Sequence, residues 1–150
     1  MPQSHVQNFI HLIFSTKDRA LLITNEIRDE LMAYLIGVLK NQDCIPIKTN
    51  AVSDHVHVLF SLSKNKALSK IVGEMKEDSS KWIKTKGAPF QNLYWHNGYG
   101  AFSVSKSNVA AVESYIVNQE EHHRKISFQD ELRRFLEKHG IPYDERYLWD

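Results

Sequence analysis

The run His55-Val56-His57-Val58-Leu59-Phe60-Ser61-Leu62 has the length and apolar content of a strand, and Ser53-Asp54 before it makes a tight turn. Paired with residues 44–52 across that turn, it forms a hairpin. Pro46 near the start of the first arm suits an edge strand. Each side of the hairpin carries a helical pattern. Upstream, Ile27, Leu31, Tyr34, Leu35, Val38 and Leu39 recur at helical spacing behind Thr24 or Asn25 as a cap, which predicts a helix over 25–41. Downstream, Leu68, Ile71, Val72, Met75, Trp82 and Ile83 mark a second amphipathic helix that ends near Lys86-Gly87.

Two further strands frame this unit. Residues 5–14 are apolar on both alternate faces, as a central strand requires, and residues 93–105 read as a strand interrupted by Gly98 and Gly100. The order strand–helix–strand–strand–helix–strand predicts an α+β, ferredoxin-like βαββαβ antiparallel sheet. Two extra C-terminal helices follow, at about 107–123 and, capped by Ser127, at about 127–139. The two helices of the repeat cover one face of the sheet, and the other face is expected to be free. At 150 residues the chain is read as a single domain, 1–150, large enough to hold a core without crosslinks. Cys44 is the only cysteine, so an intramolecular disulfide and a CxxC metal ribbon are excluded. The segment Met1–His5 does not resemble a signal peptide, and the apolar run 31–39 is too short to span a bilayer. A cytoplasmic protein is the expectation, and a net charge of +1 does not by itself announce a nucleic-acid partner.

Eight histidines prompt a search for metal or acid–base chemistry. His55 and His57 lie two apart on a strand, so both imidazoles point to one face while Val56, Val58 and Phe60 point to the other. A histidine-triad hydrolase needs a third histidine where Leu59 stands. Two-histidine phosphoesterase, cupin and metallo-β-lactamase patterns also fail on the residues that follow. On the third helix, Tyr115 and Gln119 are four apart and share a face. Two imidazoles and an amide oxygen leave positions open on Mg²⁺ or Mn²⁺, with Tyr115 aimed at what the ion holds. The plain alternative is an amphipathic helix with a boundary tyrosine.

Together these motifs resemble the single-tyrosine HUH transposases, the IS200-like family of the simplest bacterial insertion sequences. His55-Val56-His57 matches the histidine–hydrophobic–histidine motif, and Tyr115 with Gln119 matches the catalytic helix. The segments Trp95–Ser105, Glu121–His123 and Glu145–Asp150 are also similar to the family. The resemblance implies a nucleophilic Tyr115, metal ligands His55, His57 and Gln119, and a 5′-phosphotyrosine intermediate in single-stranded DNA strand transfer. It implies hairpin-ended DNA and a homodimer as partners, with 103–108 as a hinge if the tyrosine helix serves the other subunit. No membrane partner or nucleotide cofactor is implied. A domesticated hairpin-binding relative and a non-catalytic nucleic-acid module are the alternatives.

For DNA contact, residues 63–86 carry seven lysines against three acids. Lys64, Lys66, Lys70 and Lys76 are candidates for phosphate contact, and Trp95 and Tyr99 for stacking on bases. Trp82 falls on the apolar stripe and is expected in the core. His96, His122 and His123 are read as surface or backbone-contact residues, and His5, His11 and His139 are given no role.

Overall fold

The computed structural model describes residues 2–149; Met1 and Asp150, which end two of the segments above, lie outside the described residues. Four strands, β1 (Phe9–Ser15), β2 (Ile45–Val52), β3 (His55–Ser61) and β4 (Gly100–Val104), form one antiparallel sheet in the order β2-β3-β1-β4. This is the βαββαβ sheet expected. β1 and β3 are central, and β1 is buried along its whole length. β2 lies at an edge and its register shifts between Pro46 and Lys48, where proline has no N–H to give the ladder.

Helices α1 (Asn25–Asn41) and α2 (Leu68–Lys84) pack on one face. Their apolar stripes, Leu31, Leu35 and Leu39 with Ile71 and Met75, close over Leu12, Phe14, Val56, Val58 and Phe60. All are at most 1% exposed, so this layer is the main core.

The opposite face is not free. Helices α3 (Val109–Val117), α4 (Gln119–His122), α5 (Phe128–Lys138) and α6 (Glu145–Leu148) fold back across it. A second core forms there from Ile13, Phe102, Phe128, Leu132 and Leu136. Ser127 caps α5 by accepting from the Asp130 N–H at 3.2 Å, and Gly140 ends the segment with φ 65°. Gly100 lets α5 approach the sheet: a Cβ there would lie 3.0 Å from Leu132 Cδ1 and 3.1 Å from Phe102 Cε2. The expected free face omitted this layer because an amphipathic C-terminal helix does not declare which surface it covers.

Three elements are shorter than expected. The first strand begins at Phe9, and residues 5–8 lie exposed outside it, beyond its pairing with β3 and β4. The last strand is confined to Gly100–Val104, and residues 93–99 form an irregular segment held by side chains. Lys84 Nζ donates to Leu93 O at 2.8 Å, and Lys76 Nζ donates to His96 O at 2.7 Å and Gly98 O at 2.8 Å. The helix expected over 107–123 breaks at Asn118. Asn50 of β2 caps the break, its Nδ2 donating to Ile116 O at 2.8 Å and Val117 O at 3.4 Å. Among the described residues no helix is long and apolar enough to cross a membrane.

Burial pulls the Lys76 ammonium down to about 8. Its unfolded value is about 10.4, so between these values the unfolded chain binds more protons and stability rises with pH. Lys76→Met is expected to lower stability by about 1–3 kcal/mol at neutral pH through the two lost carbonyl bonds. The deficit should be flat below pH 8 and widen from pH 8 to about 10, as measured by urea unfolding across that range.

Candidate active site

β3 carries His55 and His57 to the face covered by α3–α5, and both side chains are fully buried. Register sets their neighbours: His57 lies opposite Ile13 of β1 and Asn50 of β2, and His55 opposite Ser15 and Val52. Because Asn50 holds the end of α3, the strand position beside His57 also fixes the helix that bears Tyr115.

Outer partners determine what the imidazoles present inward. Asp54 Oδ1, which only accepts when ionised, stands 2.7 Å from His55 Nδ1. The Nδ1–H therefore donates to it, and in its neutral form the ring turns a bare Nε2 lone pair inward. His123 repeats the arrangement: Nδ1–H donates to Ile126 O at 3.0 Å and leaves Nε2 bare. The two Nε2 atoms face each other at 3.0 Å. Gln119 Nε2 donates to Tyr115 O at 3.1 Å, which directs Gln119 Oε1 to within 2.9 Å of His123 Nε2. Glu131 Oε1, from α5, lies 3.0 Å from His57 Nε2, 3.2 Å from His123 Nε2 and 3.4 Å from His55 Nε2. Ligand atoms of His55, His57, His123 and Glu131 all fall within 4.8 Å of one another.

This nest consists of acceptors. Lone pairs of two imidazoles, an amide oxygen and a carboxylate converge in a buried space, and their repulsion is relieved by protons or by a cation. The donor set therefore fits a divalent metal ion. His57 Nδ1 lies 2.8 Å from His11 Nε2. Burial, together with the charge of His57, pulls His11 down to about 3, so His11 is neutral at pH 7 and can accept from the Nδ1–H of a metal-binding His57. Burial also lowers His57 to about 4, against the opposing pull of Glu131. Burial acts to lower His55 too, but its bonds to Asp54 and Glu131 outweigh it and the net shift is upward. Burial opposes ionisation of Glu131, yet the N–H groups that His123, His55 and His57 turn toward it when their rings are protonated win and hold its carboxyl well below the usual range.

Tyr115 completes the site from within the same protomer. Its hydroxyl donates to Glu131 Oε2 and stands 2.9 Å from His122 Nε2. The ring lies 5.9 Å from that of His57. Burial, with the adjacent Glu131 charge, raises the phenol above its ordinary value.

The expected site residues His55, His57, Tyr115 and Gln119 thus come together. His122 and His123, read from sequence as surface or backbone-contact residues, join them, as do His11, given no role, and Glu131, which the sequence reading did not single out. Glu131 had a signal: it falls between Phe128 and Leu132 on the buried stripe of a helix, where a carboxylate needs partners. The expected DNA contacts are dispersed. Trp95 is buried and its indole N–H donates to Ser79 Oγ at 2.9 Å, so its face is not offered to a base. Lys76 is occupied by the carbonyls of the 93–99 segment. Lys64 and Lys70 are exposed and Lys66 half-exposed at the start of α2, in the layer opposite His55 and His57. Tyr99 is 43% exposed, under Lys76 Nζ at 5.6 Å. Trp82 stacks on Tyr34 at 4.7 Å beside the core.

The fold has counterparts. A crystal structure of a transposase from Deinococcus radiodurans R1 is similar with a TM-score of 0.62 at 22% identity, over 79% of this chain and 98% of its own. A REP-associated tyrosine transposase bound to a REP hairpin gives a TM-score of 0.60 at 14% identity, over 82% of this chain and 73% of its own. The ISDra2 transposase TnpA of Deinococcus radiodurans is 25% identical over 114 residues, which span 73% of this chain and 81% of that protein. The family described as "Transposase IS200 like" matches residues 4–119, from β1 through the tyrosine and the glutamine. The chain therefore belongs to the IS200-like transposases.

Proposed function

We propose that the protein is a metal-dependent transposase that cleaves and rejoins single-stranded DNA through a 5′-phosphotyrosine on Tyr115. One observation carries the reading: the Tyr115 hydroxyl abuts, within a single protomer, a buried nest of acceptors made for a cation. His55, His57, His123 and Glu131 would hold the ion, with Gln119 at its edge. Three imidazoles favour Mn²⁺ over Mg²⁺. When bound, the ion supplies positive charge to a scissile phosphate.

Tyr115 attacks phosphorus, the bond to the 3′ oxygen breaks, and the departing strand takes a proton to become a free 3′-OH. The phosphodiester energy is kept in the tyrosyl ester, so no nucleotide cofactor is needed. An unperturbed phenol is about one part in a thousand ionised at pH 7, a handicap of roughly 4 kcal/mol, and burial makes it larger. Proton removal must accompany attack. The hydroxyl hydrogen points to Glu131 Oε2, and His122 Nε2, 2.9 Å from the phenol oxygen, is in place to accept it once the O–H turns from Glu131 to a neutral imidazole. Burial lowers His122, which favours the neutral form at pH 7.

The hairpin-bound neighbour supports hairpin DNA as the partner. Every group named above comes from one chain, so a homodimer would hold two such sites, each complete in its own subunit. The whole of 1–150 acts as one unit in this reading, because α5 supplies Glu131 from beyond the family match.

Incubated with divalent metal and oligonucleotides from the ends of its element, the protein is expected to form a denaturation-resistant adduct. Tyr115→Phe should form none while keeping metal and hairpin affinity. Nicking by that variant at the wild-type rate would refute the nucleophile. Asp54→Ala frees the His55 tautomer and should weaken Mn²⁺ binding about 10–100-fold by isothermal titration. Gln119→Ala should weaken it less than His57→Ala, since imidazole is the better donor. A reversed order in the titrations would contradict the ligand assignment.

A further inference from the structure

A cavity of about 410 Å³ opens between α3 and α5 beside Tyr115, large enough for a single nucleotide. Its walls divide by chemistry. Ala111, Val112, Ile126 and Phe135 give an apolar lining, and Arg134 and Lys138 stand on its rim. These two cations are one turn apart on α5, about 6 Å along the helix axis, a spacing comparable to one nucleotide step. Both are exposed, and among the described residues neither forms an ion pair. Arg133 on the same helix, by contrast, is bound to Asp130 and Glu145. An apolar slot with two free cations beside a candidate nucleophile suits a base and its two flanking phosphates.

We propose that this cavity seats the nucleotide immediately 3′ of the scissile phosphate in single-stranded DNA, with Arg134 and Lys138 on its 5′ and 3′ phosphates. The proposal rests on Tyr115 as the nucleophile. Its polarity follows from in-line displacement, in which the entering and leaving oxygens lie on opposite sides of phosphorus. The cavity wall is made by the preceding turn of the tyrosine's own helix, so the cavity lies on the entering side. The nucleotide held there is the one that stays bonded to phosphorus, through its 5′ oxygen. The leaving strand has a separate way out. A second cavity of about 230 Å³, with Arg28, His123 and Arg124 among its lining residues, opens at the other end of the metal nest. Strand register places it there. His11, which lines the first cavity, lies opposite Leu59, whereas Val52, which lines the second, lies opposite His55.

The test uses full-length Tyr115→Phe protein, so that both readouts are of binding and separate from the covalent adduct assay. A fluorescein-labelled oligothymidylate of about twelve nucleotides is titrated by anisotropy across a range of salt concentrations. Adding R134A and K138A should reduce the slope of log Kd against log salt by about 1.4 and raise Kd about tenfold near 0.2 M salt. Ala111→Trp, which fills the slot, should raise Kd with the slope unchanged. Unchanged Kd and slope in the R134A/K138A protein, with wild-type Mn²⁺ binding and thermal unfolding, would overturn the site. In NMR titrations, thymidine 5′-monophosphate should shift the methyl signals of Ala111 and Val112, and R134A should weaken that binding while K138A leaves it unchanged. Weakening by K138A and not by R134A would overturn the polarity.

Discussion

Convergent lone pairs at one buried point organise this protein. Asp54 and the Ile126 carbonyl take up the outer nitrogens of His55 and His123, and the inner nitrogens are left bare and 3.0 Å apart. Glu131 and Gln119 add oxygens to the same point. Buried acceptors without donors are costly, so the arrangement is stable only with a proton or a cation among them. The structure therefore holds a demand for positive charge beside the hydroxyl of Tyr115.

Everything around that point keeps it in register. The sheet places His57 beside Asn50, and Asn50 grips the carbonyls at the break between α3 and α4. That break allows Tyr115 from one helix and Gln119 and His123 from the next turn to face the same nest. Gly100 lets α5 settle against the sheet, and α5 brings Glu131 across the phenol and all three imidazoles. The tyrosine is thereby docked against the histidines of its own chain. The same helix presents Arg134 and Lys138 to the cavity on the tyrosine's side.

The sequence made the local features legible. The helix at about 25–41 was readable because its apolar spacing is unbroken and a capping residue, Thr24 or Asn25, stands at its start. The hairpin and the shared face of His55 and His57 follow from alternation alone. Tyr115 and Gln119 were readable as a pair four apart, but the break at Asn118 was not, because the side chain that takes up the freed carbonyls, Asn50, is far away in sequence on β2. His11 reaches His57 only through strand register, which the pattern of β1 alone leaves open. His123 and Glu131 depend on how the C-terminal helices dock, and the sheet face expected to be free is where they lie. The lysines near the start of α2 lie in the layer opposite the nest, a placement that a charge run does not declare.

The most direct measurement is anomalous diffraction from crystals of the DNA-free protein grown with Mn²⁺. The account predicts one peak per protomer, bonded to His55, His57 and His123 nitrogens and a Glu131 oxygen, with the phenol of the same chain alongside. A nest without a peak at saturating Mn²⁺, or a peak with Tyr115 directed away from it in both its own and the neighbouring subunit, would contradict the account.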